Sequence, residues 1–308
     1  MNTGPVVVLN AGSSSLKFAV FRADQVAARG SVEPLAEPPG PALARAKIRA
    51  AGGEVLLDAE LGPLRHEQAL DWLVDWLAAF LSGRPPAAFV HRVVHGGGEF
   101  TAPVRVDAAV LERLERLAPL APLHQPHNLA PIRRLLARED GVPQIASFDT
   151  AFHAGQDRLE QTFPLPAALF QRGLRRYGFH GHSYQSIAEQ LPDVDPDAAA
   201  GRTVVFHLGN GASACALRGG RSVATTMGFS TLDGLMMGTR SGAVDPGLVL
   251  HLLQREGRSV EEVSELLYQQ SGLLGVSGVS ADMRELLASP SPDAAFAVRL
   301  FCRLAAKQ

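Results

Sequence analysis

The chain of 308 residues carries only two cysteines, Cys215 and Cys302, far apart and each among apolar neighbours. No disulfide framework is expected from such a pair; two buried thiols in a reducing compartment are. No apolar run reaches the roughly 20 residues that a membrane helix needs. The N-terminus has neither a basic region nor a cleavage site ahead of its first apolar run at Val6. Charge of one sign is also missing: 29 Lys and Arg stand against 31 Asp and Glu, so no basic surface for nucleic acid is advertised. The expectation is a soluble cytoplasmic protein with no nucleic-acid and no membrane partner. Catalytic signatures are absent as well. There is no close Cys pair or HExxH helix for zinc, no strained Ser elbow and no GxxxxGK[ST] phosphate loop. What is plentiful is apolar character, at 46% of residues, enough for two cores in a chain whose length suggests two domains.

The most informative segment lies near the start. Val6-Val7-Val8-Leu9 runs into Asn10-Ala11-Gly12-Ser13-Ser14-Ser15, and Leu16-Lys17-Phe18 opens a second apolar run. This reads as strand, tight turn, strand. Gly allows close backbone approach, and hydroxyls, main-chain N–H groups and Lys17 suit phosphate oxygens. An ordinary hairpin uses the same residue types. The plan returns at Thr203-Val204-Val205-Phe206-His207-Leu208 followed by Gly209-Asn210-Gly211 and a further apolar run, with a second hairpin through Gly219-Gly220. Two such modules suggest a duplicated domain with a phosphate loop from each half.

Strands are expected over 6–9, 16–21, 25–32, 55–57, 87–94, 142–148 and 204–208. A Pro-rich exposed connection is expected over 33–41. Helices are expected over about 70–81, 107–118, 127–137, 244–256, 260–270, 281–287 and 293–306. Strands followed by helices, twice, imply α/β layers, in which ligands collect at the C-terminal ends of strands. Asn10, Asp149 and 207–211 all fall at such ends.

Several polar residues need a reason. Arg92 sits inside the apolar run His91-Arg92-Val93-Val94; it either faces solvent from an edge strand or points into a cleft toward a carboxylate or phosphate. His124 lies in a rigid turn, where it is either structural or functional. Asp149 ends a strand as a helix cap, a Mg²⁺ partner or a base. Tyr177-Gly178-Phe179-His180-Gly181 is a Gly-hinged turn with an imidazole, and Met237-Gly238-Thr239-Arg240-Ser241-Gly242 sets a second Arg between glycines.

Together these stretches resemble the acetate kinase family, of the acetate and sugar kinase/Hsp70/actin superfamily. Residues 10–17 are similar to its first signature, and 227–229 through 237–242 to its second. The stretches 91–97, 122–124, 148–153, 177–181 and 207–213 match in order. The resemblance implies an α/β fold of two duplicated ribonuclease H-like domains, the second incomplete. Residues 1–149 would form the acyl-substrate and phosphate domain, and 150–308 the nucleotide-binding domain. It also implies reversible phosphoryl transfer between ATP and acetate, with acetyl phosphate and ADP as products, Mg²⁺ (or Mn²⁺), and a homodimer.

Residue by residue, the resemblance makes Asn10 the metal-side residue and puts Ser13, Ser15 and Lys17 near phosphates. It gives Arg92 and Arg240 the acyl carboxylate and the migrating phosphoryl group, His180 the transition state, and Asp149 the catalytic carboxylate, with His124 in support. Residues His207, Leu208, Gly209, Asn210 and Gly211 form the nucleotide phosphate loop, and Asp282, Met283 and Arg284 touch the nucleotide. Val94, Leu123 and Phe179 line a pocket for the acetate methyl.

The chain also departs from the family. Thr231 stands where Pro is usual in the methyl pocket, Ala243 where Asp is usual, and Tyr184 near a usual His. These departures bear on acyl preference and rate, and leave propionate or another short acid as the alternative substrate. The family's later Gly-rich adenosine loop and a late Glu have no counterpart. Together with the apolar stripe Ala294, Val298, Phe301 and Cys302, this makes the 308 residues an expected fragment or product of an interrupted gene, with weak ATP binding. A non-catalytic nucleotide-binding remnant and an Hsp70-like ATPase are the rival readings; the latter leaves Arg92 and Arg240 without a role.

Overall fold

The computed structural model describes residues 4–35, 42–122 and 124–308. Most of the Pro-rich connection at 33–41, and Leu123, lie outside the described residues. The chain divides into two compact units between Ala151 and Phe152.

The first unit contains β1 (Val6–Ala11), β2 (Leu16–Arg22), β3 (Gln25–Glu33), β4 (Ala44–Ala50), β5 (Val55–Gly62), α1 (His66–Phe80), β6 (Ala88–Val93), β7 (Val104–Val106), α2 (Ala108–Glu115), α3 (Gln125–Leu136) and β8 (Gln144–Phe148). Its sheet runs β5-β4-β3-β2-β1-β6-β8-β7. The first five strands form an antiparallel meander. β1, β6 and β8 are adjacent and parallel, and β7 closes the edge antiparallel. Three neighbouring strands therefore end on the same side of the sheet, the place where α/β folds collect ligands.

β4 is a strand that residue propensity hides. Ala44-Arg45-Ala46-Lys47-Ile48-Arg49 is poor in β-formers, yet small or apolar residues alternate strictly with cations. Ala44, Ala46 and Ile48 are buried while Arg45, Lys47 and Arg49 are exposed. α1 buries Ala69, Leu70, Leu73 and Leu77 at helical spacing. They join Val7, Leu9, Phe18, Val20 and Ile48 in one core. A second core gathers Val93, Phe100, Leu114, Leu129, Ile132 and Phe148.

The second unit contains α4 (Arg158–Gln161), α5 (Ala167–Gln171), α6 (Gly181–Val194), α7 (Pro196–Ala200), β9 (Arg202–Leu208), β10 (Ala212–Arg218), β11 (Arg221–Thr225), α8 (Pro246–Gln254), α9 (Val260–Gln269), α10 (Gly272–Ser277), α11 (Met283–Ala288) and α12 (Pro292–Ala305). Its sheet, β11-β10-β9, is an antiparallel meander like β1-β2-β3. That shared opening is consistent with duplication of an α/β unit. α6 escaped the sequence pattern because it buries only Gly181 and Tyr184, too few apolar positions for a visible stripe. α9 begins with a capping box between Ser259 and Glu262. α12 starts at Pro292 with Ser291 as cap and buries Ala294 and Ala297.

One expectation is overturned here. Cys215 is buried, but Cys302 is exposed. Val298, Phe301 and Leu304 pack against the core from α12, and Cys302, about 100° round the helix from Phe301, falls beside that stripe.

His91, on the central strand β6, is fully buried; its Nε2 pairs with Gln144 Oε1 at 2.8 Å, while Gln144 Nε2 donates to the Val142 carbonyl at 2.9 Å. Gln144 therefore presents an acceptor, and His91 is neutral with its proton on Nε2. Burial lowers its pKa from 6.5 to about 4, although the Gln144 bond opposes the shift. The unfolded chain takes up the proton first as pH falls, so the stability tied to this neutral ring is complete above about pH 6.5 and is lost toward pH 4. In urea titrations, His91→Gln is expected to flatten the decline over that window by about 3 kcal/mol. An unchanged pH slope would exclude His91 as its source.

Candidate active site

The predicted residues fall into two groups, one in each unit. In the first unit, Asn10, Arg92 and Asp149 come from the ends of β1, β6 and β8. Arg92 grips Asp149 with both edges of its fork, Nε to Oδ1 at 2.9 Å and Nη2 to Oδ2 at 2.6 Å, and its Nη1 donates to Asn10 Oδ1 at 3.2 Å. The Asp149 side chain is 2% exposed and that of Arg92 39%. Burial works against the Arg92 charge, but the hydrogen bonds and charge of Asp149 outweigh it and raise its pKa further. Arg92 is thus neither on an edge strand nor turned wholly to solvent. Both Asp149 carboxylate oxygens face the guanidinium. Three of the five Arg92 N–H groups are used in these bonds, which leaves two for an incoming anion.

Lys17 lies directly opposite Asn10 across the β1–β2 ladder and so on the same face, with an exposed side chain. Ser13 is exposed and Ser15 half-buried in the intervening turn, closed by a 2.8 Å bond from Gly12 N to Ser15 O. Val94 is buried, and its N–H donates to Asn128 Oδ1 at 2.9 Å while Asn128 Nδ2 reaches the Ala11 carbonyl at 2.7 Å. His124 is the half-buried residue just before α3. Leu123 lies outside the described residues.

In the second unit, His180, His207, Gly211 and Arg240 come together. The His180 and His207 rings stack with centroids 4.1 Å apart. His180 Nδ1 bonds Ser213 Oγ at 2.8 Å, and His207 Nδ1 bonds Ser183 Oγ at 2.9 Å. Arg240 Nη1 donates to the Thr231 carbonyl at 2.6 Å, and burial lowers the Arg240 pKa. A Cβ on Gly211 would stand 2.9 Å from Arg240 Nη2 and 3.3 Å from His180 Nε2. Guanidinium and imidazole thus converge on that glycine. Gly238 is still tighter, since its Cβ would meet Asn210 Oδ1 at 2.3 Å.

Leu208, Gly209 and Asn210 line a cleft of about 570 Å³ together with Asp282, Met283 and Arg284, and with Met237, Leu273 and Phe301 as apolar walls. Asp282 caps α11 through Arg284 N and pairs with the Arg284 side chain at 2.5 Å, which holds its carboxyl down at about 2. Phe179 is buried, and its carbonyl accepts from His153 at 2.9 Å.

The sequence profile of the Acetokinase family matches residues 5–308. The chain belongs to the acetokinase family. The acetate kinase of Rhodopseudomonas palustris is 46% identical over 304 residues, which cover 96% of this chain and 75% of that protein. A propionate kinase structure from Francisella tularensis superposes with a TM-score of 0.90 at 34% identity, over 99% of this chain and 78% of its own. The acetate kinase structure of Porphyromonas gingivalis does so at 0.83 and 34%, over 98% and 77%.

Four residues of this acetokinase chain were not singled out for roles by sequence reasoning. Asn128 ties the ends of β1 and β6 and looks like an ordinary helical polar residue. Ser213 and Tyr184 stand behind His180. Asp233 pairs with Arg176 at 3.4 Å. Of these, Ser213 left a trace in the sequence as the end of the matched stretch 207–213, and Tyr184 as a departure from the family pattern.

Gly211→Ala is expected to leave the unfolding free energy within about 0.5 kcal/mol of wild type, because the Arg240 side-chain end can shift. It is expected to lower phosphoryl-transfer turnover at least about tenfold by displacing that end. Full turnover with a relocated guanidinium would separate Arg240 from the chemistry.

Proposed function

We propose that this chain is an acetate kinase, transferring the γ-phosphoryl group of ATP reversibly to acetate to give acetyl phosphate and ADP. The observation that carries the reading is the Asn10–Arg92–Asp149 cluster at the ends of three adjacent parallel strands, in a chain of the acetokinase family. Acetate is preferred over propionate as substrate because the relatives at 46% identity are acetate kinases, whereas the propionate kinase stands at 34%.

The acetate carboxylate is ionised at neutral pH and needs no base to become a nucleophile. The new bond joins its oxygen to phosphorus, while the bond from phosphorus to the bridging oxygen of ADP breaks. Catalysis then consists of alignment and charge neutralisation. Arg92 offers its two remaining N–H groups to the acyl carboxylate. Arg240 and His180 serve the oxygens of the transferring group. Asp149 orients Arg92; a carboxylate gripped on both oxygens is poorly placed to take a substrate proton. The 207–211 loop and Asp282–Arg284 hold the nucleotide, Ser13, Ser15 and Lys17 attend its phosphates, and Val94, Leu123, Phe179 and Thr231 border the methyl group, with His124 in support. Residues 1–149 serve the acyl side and 150–308 the nucleotide.

The oxygen donors Asn10 Oδ1 and Asp149 fit Mg²⁺ (or Mn²⁺), which takes one or two protein oxygens and keeps waters and phosphates for the rest. Asn10 would hold the ion directly and Asp149 through water. Bound there, it would neutralise phosphate charge. Among the described residues no helix is long and apolar enough to cross a membrane; the reading extends, on family resemblance, to a cytoplasmic homodimer.

Hydroxylamine trapping of acetyl phosphate from acetate and MgATP tests the function directly; ATP hydrolysis without hydroxamate would refute it. Arg92→Ala and Arg240→Ala are each expected to lower hydroxamate formation about 10²–10³-fold, for a loss of about 2–4 kcal/mol of transition-state stabilisation. Near wild-type rates in both would remove them from the mechanism.

Thr231 supplies its backbone carbonyl to Arg240, a contact that proline preserves. Thr231→Pro is therefore expected to keep activity and to shift the kcat/KM ratio toward acetate over propionate by up to about tenfold. A fixed ratio would show that the side chain does not set acyl preference.

A further inference from the structure

Behind His180 runs a chain of buried hydroxyls. Ser213 and Tyr184 are both fully buried. Ser213 Oγ lies 2.8 Å from His180 Nδ1, and the Tyr184 hydroxyl bonds the same Oγ. Burial raises the Tyr184 pKa above the usual 10 despite the Ser213 bond. The phenol therefore keeps its proton. Among the described residues the hydroxyl bonds Ser213 Oγ, so that proton goes to Ser213. A serine hydroxyl that accepts from Tyr184 has its own proton to give, and Nδ1 of His180 is in line to accept it.

The backbone supports the same arrangement. His180 adopts φ 59° and ψ 21° just before α6, a left-handed conformation that few non-glycine residues adopt. It occupies the helix-cap position, yet its side chain makes no cap bond. The imidazole is directed instead to Ser213, with Nε2 on the side of Gly211 and Arg240 Nη2.

We infer that Tyr184 and Ser213 are positioning residues that hold His180 as its Nε2-protonated tautomer, so that a fixed N–H donor stands beside Arg240 for the transferring phosphoryl group. The inference rests on the phosphoryl-transfer reading for its purpose, but the tautomer itself is a property of the chain. The family usually carries His near position 184, so this phenol-to-serine relay is a device of this chain. No proton is consumed: Tyr184 and Ser213 each pass on a hydrogen bond.

Nitrogen-15 NMR of the 308-residue chain with labelled histidine tests this, with His180→Gln assigning the resonances. Wild type at pH 8 is expected to show His180 Nδ1 as an acceptor and Nε2 as protonated. Tyr184→Phe is expected to move Nδ1 toward the protonated position, as Ser213 becomes free to accept instead. Its kcat should fall about tenfold with KM for ATP unchanged, the loss of one oriented hydrogen bond. Ser213→Ala should shift both His180 nitrogens and lower kcat at least as far, and it carries the test should Tyr184→Phe fail to fold. A wild-type His180 protonated on Nδ1, or His180 resonances unmoved in both variants, overturns the inference. Loss of hydroxamate formation in wild type with the predicted tautomer intact would instead refute the acetate kinase reading and leave the relay standing.

Discussion

A carboxylate with almost no contact to water persists as an anion only beside a cation, and Asp149 has Arg92. The rest of the first unit's site follows from that pair. For the two to meet, β6 and β8 must be parallel and in register, with Arg92 beside Ser147 and Val93 beside Phe148. For Arg92 to reach Asn10 as well, β1 must lie on the other flank of β6. Asn128 then secures the two strand ends by bonding Ala11 and Val94. The sheet order is thus what makes three distant sequence positions one polar cluster.

The two glycine-bearing turns, at 10–15 and 209–211, are alike in the sequence and differ in physical character. In the first, a Cβ on Gly12 would meet nothing nearer than Ser15 Oγ at 3.6 Å; there, the glycine is not demanded by the fold itself. In the second, Gly211 and Gly238 are pressed against Arg240, His180 and Asn210. The first turn is open space flanked by hydroxyls, while the second is already packed by polar side chains.

Much of this was legible in the residues. The apolar runs at 6–9 and 16–21 and the helical spacing of Leu70, Leu73 and Leu77 determined their elements locally, and the structure keeps them. β4 was hidden because alanine and arginine carry little strand preference, although their alternation was present. α6 was hidden because it has too small an apolar face. Arg92 announced itself as a charge among apolar neighbours, but its pairing with Asp149 depends on strand order, which no local pattern encodes. Cys302 misled because composition cannot resolve the edge of a helical stripe. The Tyr184–Ser213–His180 chain joins three elements and could not be read from any one of them.

The position of each loop's parent strand has a dynamic consequence. β1 is hydrogen-bonded on both sides, to β2 and β6, whereas among the described residues β9 is bonded on one side, to β10. Opening β1 means breaking two ladders at once; opening β9 means breaking one. Amide protons of β9 are thus set to exchange through local fluctuations, while those of β1 wait for larger unfolding events. The loop at 208–211 hangs from the more yielding strand, so the same chain joins a rigid cradle to a pliant one.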